Sequence, residues 1–297
     1  MAVKIDLHIH SNISDGELTP KEIIDEASKN GINTIAIADH DTIDAYDEEL
    51  YNYAKEKNIQ IINAVEISTK NNKAGIHVLG YNFDINNPEL KQKLSSLRNA
   101  RHDYLYNVSS KLKELGYTIN VEELDKVEAV TKAHIALDAV SNPENETLLL
   151  KEFGHIPSKG EFIETIMNEG CPAYVKKETI TPKEASNLIR KAGGKVILAH
   201  PVAYRYEDNL IENDILEIIN DMKADGIEAH YIYIDRNNHK INEIEIWSKF
   251  AKEHKLITTI GSDFHNKDNI HPLIGFINEN INISEVEINN IINNLMN

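Results

Sequence analysis

The chain opens on its most chemically suggestive residues, Asp6-Leu7-His8-Ile9-His10, followed shortly by Asp15-Gly16. Ile5–Ile9 reads as a short β-strand, in which side chains two apart point the same way. His8 and His10 then project together from its end, about 7 Å apart along the strand. Two imidazoles aimed at one point make half of a metal site; packing or capping histidines would look the same if the pair stood alone. Matching residues recur where other apolar runs close. Asp39-His40-Asp41 follows the run 34–38, Glu66 the run 59–65, and His200-Pro201 the run 195–199. His230 follows 226–229, and Asp263-Phe264-His265 comes just after 256–260. With one cysteine, Cys171, neither a thiolate site nor an intrachain disulfide is available. Nitrogen and oxygen donors remain, and these suit Mn, Fe, Zn or Mg.

The elements that must position these residues alternate. Thr19-Pro20-Lys21-Glu22 and Thr181-Pro182-Lys183-Glu184 are helix starts, with Thr as cap, Pro at the first helical position and Glu three after the cap. Helices are expected over 20–30, 43–57, 208–224 and 238–254, with a last one starting at Ser284. Interleaved with about seven apolar runs, they predict an α/β fold with parallel strands and helical crossovers. In α/β barrels the carboxyl ends of the strands form the face where active sites are built. His77 opens its run (77–81) instead of closing it, so as a ligand it requires a strand running against its neighbours, or a bend. Residues 88–174 read as helical with no good strand, which predicts an insertion, a lid over the barrel. Asp39 and Asp41 flank His40 as partners for ring nitrogens or as plain strand-end polar residues.

Composition sets outer limits. The chain has 297 residues, 41% hydrophobic and 27% charged, enough for one large domain carrying an insertion. No apolar run is long enough for a signal peptide or a membrane span, so the cytoplasm is the expected compartment and no membrane partner is expected. A net charge of −17 argues against binding long duplex nucleic acid. A small phosphorylated substrate is compatible with it if bound divalent ions concentrate positive charge at the site. There is no Gly-rich phosphate loop and no serine triad. Trp247 is expected in the core, and His102, His155, His239 and His254 at the surface.

Taken together, Asp6-Leu7-His8-Ile9-His10-Ser11 with Asp15-Gly16, Ala38-Asp39-His40-Asp41-Thr42, Glu66-Ile67-Ser68, Ala199-His200-Pro201 and Gly261-Ser262-Asp263-Phe264-His265 resemble the motifs of the PHP (polymerase and histidinol phosphatase) superfamily. The resemblance runs from about Lys4 to Phe276. It implies a distorted (β/α)7 barrel of the PHP type formed by 1–87 and 175–297, with 88–174 as the inserted helical subdomain. It also implies two or three divalent metal ions, Mn first among them. One would be held by His8, His10, Glu66 and Asp263, a second by Glu66, His77 and His200, and a third by Asp15, His40 and His265. Glu66, Asp263 and His200 would be the residues closest to the chemistry, which is metal-dependent phosphoester hydrolysis.

The nearest subgroup removes the 3′-phosphate of nucleoside 3′,5′-bisphosphates, and some of its members trim short oligoribonucleotides from the 5′ end. That likeness extends to Arg98 and Arg101, neighbours on one helix face, and to Thr131-Lys132-Ala133-His134-Ile135-Ala136. Family members usually carry Arg-Pro-His-Ile-Ala there; Lys132 keeps the positive charge without the bidentate fork. Arg98, Arg101, Lys132 and His134 are thus implied substrate contacts, and His230 joins them by its position at a strand end. The alternatives are a phosphomonoesterase for another metabolite, such as histidinol phosphate, and a non-enzymatic PHP scaffold. Oligomeric state is left open.

Overall fold

The computed structural model describes residues 5–127, 130–176, 179–235, 237–268, 270–275 and 283–297; Lys4 and Phe276, where the resemblance begins and ends, lie outside them. The fold is α/β. Its strands are β1 (Ile5–Ile9), β2 (Thr34–Ile37), β3 (Gln60–Ile61), β4 (Ala64–Lys70), β5 (Gly75–Tyr81), β6 (Lys195–Leu198), β7 (Gly226–His230), β8 (Ile232–Ile234), β9 (Lys240–Asn242) and β10 (Ile257–Ile260). One sheet has the order β1-β2-β3, a second β10-β7-β6-β5-β4, and β8-β9 form a separate hairpin.

Backbone hydrogen bonds stitch the first two sheets together at two seams, and both seams run through candidate site residues. At one, Asp41 N donates to Glu66 O (2.9 Å) and Glu66 N to Asp39 O (3.2 Å). At the other, His10 N donates to Phe264 O (2.9 Å) and Asp263 N to His8 O (2.8 Å). Glu66 and Asp263 are therefore fixed by main-chain bonds from another strand before their side chains make any contact.

The expectation of parallel strands with helical crossovers is corrected at β5. β5 pairs antiparallel with both β4 and β6, because the Asn71–Ala74 turn (Asn71 N to Ala74 O, 3.0 Å) returns the chain directly without a helix. This reversal brings His77, early in β5, to the end of the sheet where the other strands finish. Glu66 lies inside β4 and not at a strand end, since the run 59–65 divides into β3 and β4. The helix expected over 43–57 is Glu48–Glu56, capped by Asp47. The one expected over 238–254 begins only at Ile244, because Lys240–Asn242 pairs as a strand with β8. A short helix, Pro201–Glu207, precedes Glu212–Met222 and was not anticipated.

Ile5 and Leu7, Leu79 and Tyr81, Ile197 and Ile260 bring both sheets into one apolar core, against which Ile288, Ile291 and Leu295 of helix Glu285–Met296 pack. Trp247 is buried, with its indole N–H on Glu243 Oε2 at 3.1 Å. Gly226 opens β7 where a Cβ would fall 2.2 Å from Ile257 O and 2.8 Å from Ile197 Cδ1. Gly226→Ala is expected to lower stability by about 1–3 kcal/mol through overpacking, read as a lower urea midpoint at unchanged slope.

The chain divides into two compact units, Met1–Leu94 with Thr179–Asn297, and Ser95–Glu178. The second has its own core, including Tyr104, Leu112, Ile135, Leu149 and Phe162, and is helical among its described residues. No helix among the described residues is long and apolar enough to cross a membrane.

Candidate metal centre

Glu66 is the hub. It is buried, and its carboxylate meets five imidazoles. Oε1 lies 2.9 Å from His77 Nδ1 and 3.1 Å from His200 Nε2; Oε2 lies 3.0 Å from His40 Nδ1, 3.3 Å from His10 Nε2 and 3.4 Å from His8 Nε2. Asp263 Oδ1 faces the same pair, 3.3 Å from His8 Nε2 and 3.2 Å from His10 Nε2. Asp15 adds a third edge, with Oδ1 3.4 Å from His10 Nδ1 and 3.5 Å from His265 Nε2, and Oδ2 3.8 Å from His40 Nε2.

Among the described residues, three donor groups are close enough to share an ion: His8, His10, Glu66 and Asp263; His10, Asp15, His40 and His265; and His40, Glu66 and His77. In the first, the nitrogens of His8 and His10 face each other at 3.1 Å, and the other recorded separations are 3.2–3.4 Å. A tetrahedron of ligands about 2.0–2.1 Å from its centre has edges of about 3.3–3.4 Å. Two ring nitrogens so placed have at most one proton to share, whereas a cation between them would use both lone pairs. His200 Nδ1 is buried without a hydrogen-bond partner among the described residues. The donor set thus fits divalent ions held by nitrogen and oxygen.

Local backbone geometry aims these groups. His200 (φ 24°) and Asp263 (φ 53°) both occupy the left-handed region, where a non-glycine residue carries strain that its surroundings must hold. Gly16 lets the loop after β1 close on itself, since a Cβ there would sit 2.2 Å from His10 O. The same loop is tied by Asp39, whose carboxylate accepts from Ser11 N (2.7 Å), Ser11 Oγ (2.7 Å) and Ser14 Oγ (2.6 Å). Asp39 therefore positions the segment carrying Asp15 and makes no hydrogen bond to the ring of His40 among the contacts seen. Asp41 Oδ1 accepts from Ser68 N at 3.0 Å.

Sequence reasoning missed three residues. Glu228, inside β7, lies 3.0 and 3.2 Å through its two oxygens from His8 Nδ1. Tyr231 donates its hydroxyl to Asp263 Oδ2 at 3.2 Å, and Tyr204 Oη accepts from His77 N at 2.9 Å. Only Glu228 left a signal, a carboxylate within an otherwise buried apolar strand.

Electrostatics follow from these contacts. Burial opposes charge on His8, but Glu228, Glu66 and Asp263 outweigh it and hold its pKa well above the ordinary value; His10 is pushed up to about 10 against the same penalty by hydrogen bonds to Asp263 and Glu66 and by Asp15. Burial lowers His40 to about 3 despite Asp15 and Glu66. At neutral pH the metal-free centre therefore retains a proton between His8 and His10, and a cation must displace it. Affinity for Mn²⁺ or Zn²⁺ is expected to rise as pH rises, with protons released on binding, readable by calorimetry in buffers of different ionisation enthalpy. The raised His10 pKa also stabilises the metal-free fold fully below about pH 6.5, a contribution lost as pH rises through about 10.

A cavity of about 370 Å³ opens onto the cluster. Histidines 40, 77, 200 and 265 line one part, and Tyr204, Tyr231, Tyr233, Glu207 and Asp208 another; no Lys or Arg is among the described lining residues. His230 is buried at the end of β7 and is not among them. Arg98 and Arg101 (the latter buried), Lys132 and His134 belong to the second unit. Lys132 Nζ donates to Asn168 Oδ1 at 3.0 Å, and His134 completes the N-terminal cap of helix Lys132–Ser141, accepting from Thr131 N at 3.1 Å.

Comparison with known proteins agrees with this chemistry. A 5′-3′ exoribonuclease of Haemophilus influenzae is 34% identical over 271 residues, covering 89% of this chain and 91% of that protein. A 3′,5′-nucleoside bisphosphate phosphatase of Chromobacterium violaceum is 28% identical, covering 88% and 87%. The structure of an amidohydrolase from Chromobacterium violaceum, with bound sulfate and no metal, superposes with a TM-score of 0.71 at 25% identity, covering 90% and 89%. The model of the PHP domain matches residues 6–241, and the chain belongs to the PHP domain family.

Proposed function

We propose that this chain removes the 3′-phosphate from nucleoside 3′,5′-bisphosphates, and that short oligoribonucleotides, taken from the 5′ end, are further substrates. The chain is a hydrolase, a metal-dependent phosphoesterase of the PHP domain family. The observation that carries the reading is Glu66 shared among five imidazoles, a carboxylate placed to bridge ions. His8, His10, Glu66 and Asp263 would hold one ion, Glu66, His77 and His200 a second, and Asp15, His40 and His265 a third. Bound ions would supply Lewis-acid charge and a deprotonated water at neutral pH. The protein's own part is to fix the donors, through the main-chain seams and through Tyr231 on Asp263, and to shape the cavity. The two sheets stitched at those seams are read as one distorted barrel of the PHP type, and 88–174 as the helical subdomain inserted in it.

The relatives' activities support the nucleotide assignment, with Arg98, Arg101, Lys132 and His134 offered as contacts to the second phosphate. Glu207 and Asp208 in the cavity wall favour a second reading, a phosphomonoesterase for an amine-bearing ester such as histidinol phosphate. Phosphate release from adenosine 3′,5′-bisphosphate, adenosine 3′-monophosphate, a 5′-phosphorylated trinucleotide and histidinol phosphate, each with Mn²⁺, separates them. The bisphosphate is expected to show the highest kcat/KM; equal values with and without the 5′-phosphate, or preference for histidinol phosphate, would overturn the nucleotide assignment.

A further inference from the structure

Glu228 is 1% exposed, and no Lys or Arg is among its recorded partners. Its two oxygens lie 3.0 and 3.2 Å from His8 Nδ1, and Oε2 also accepts from the His200 backbone N–H at 3.0 Å. The loop after β10 closes around it, for a Cβ on Gly261 would fall 2.2 Å from Glu228 Oε1 and 2.2 Å from His8 Cβ. The carboxylate lies behind His8, outside the cavity lining, so it cannot touch a substrate there.

A carboxylate only accepts hydrogen bonds. Facing His8 Nδ1, it requires the proton on that nitrogen, which leaves the Nε2 lone pair directed at His10, Glu66 and Asp263. The bond to His200 N sits where the backbone is held at φ 24°, next to the ring whose Nε2 reaches Glu66. We propose that Glu228 is a positioning residue for the metal centre, setting the His8 tautomer through Nδ1 and clamping the backbone of His200, so that one buried side chain prepares donors of two proposed ion positions. This rests on the reading of the cluster as a metal centre.

The test is Zn²⁺ affinity, measured by chelator competition on the full chain and on Glu228→Gln. The amide is isosteric, but in either orientation it sets an N–H against His8 Nδ1–H or against the His200 N–H. It is relieved when His8 moves its proton to Nε2, the nitrogen a metal needs. The variant is expected to bind Zn²⁺ about 10–100-fold more weakly, whereas a packing role alone would leave affinity unchanged, and that result would overturn the proposal. A second measurement needs no variant. In ¹⁵N-histidine-labelled wild-type protein loaded with Zn²⁺, long-range ¹H–¹⁵N spectra are expected to show His8 protonated at Nδ1; a bare Nδ1 would refute the assignment even if the variant failed to fold. Wild-type protein that takes up no Zn²⁺ would defeat the metal-centre reading itself, a different failure from a variant that binds as tightly as wild type.

Discussion

Replacing Glu66 by Gln is expected to reduce phosphate release by about 10³-fold or more, in a chain that still folds. The substitution preserves shape and removes charge at the one carboxylate that five imidazoles share. Oε1 serves His77 and His200, and Oε2 serves His8, His10 and His40, so whichever position the amide nitrogen takes, at least two rings lose their anionic partner. Loss of a bridging ligand removes Lewis-acid stabilisation worth several kcal/mol, and each 1.36 kcal/mol is tenfold in rate. The main-chain bonds of Glu66 to Asp39 and Asp41 do not involve its side chain, which is why the fold survives. Phosphate release at saturating Mn²⁺, with circular dichroism as the control for folding, reads the effect. Turnover within tenfold of wild type would contradict the bridging role.

Removal of divalent ions is expected to abolish turnover altogether, with activity returning on addition of Mn²⁺. The cavity wall explains the severity. Its described lining includes Glu66, Glu207, Asp208 and Asp263 but no Lys or Arg, so an incoming phosphate dianion meets like charge unless cations intervene. The fold should respond as well, because an ion that binds only the native state stabilises it by about 2.7 kcal/mol at a hundredfold excess over Kd. Chelated protein should therefore melt at a lower temperature than Mn²⁺-loaded protein in the same buffer. Full activity in protein shown by elemental analysis to be metal-free would rule out ion-dependent hydrolysis.

The sequence disclosed the donors more fully than the scaffold. His8 and His10 could be paired because strand periodicity is local, and Asp263 and His265 because they follow an apolar run. His77, opening its run, required as a ligand either a reversed strand or a bend, and β5 is antiparallel to both neighbours. Other features depend on which strands meet, which no local pattern records. The β4–β5 hairpin left Glu66 in mid-strand, where a run ending at that residue had suggested a strand terminus. Asp39 beside His40 read either as a partner for a ring or as a plain strand-end residue, and the chain folds so that it captures Ser11 and Ser14. The partner of the His8 ring is Glu228, 220 positions away, and only the adjacency of β1, β7 and the loop after β10 could reveal it. The short helix Pro201–Glu207 escaped because seven residues carry too little periodicity to register.

Crystals soaked in Mn²⁺ and measured at an energy where manganese scatters anomalously would test the centre most directly. An anomalous peak bound by His8, His10, Glu66 and Asp263 is the predicted result, with further peaks sharing Glu66 or Asp15. Manganese peaks found only away from these side chains, or none in crystals of protein that hydrolyses its substrate, would contradict it.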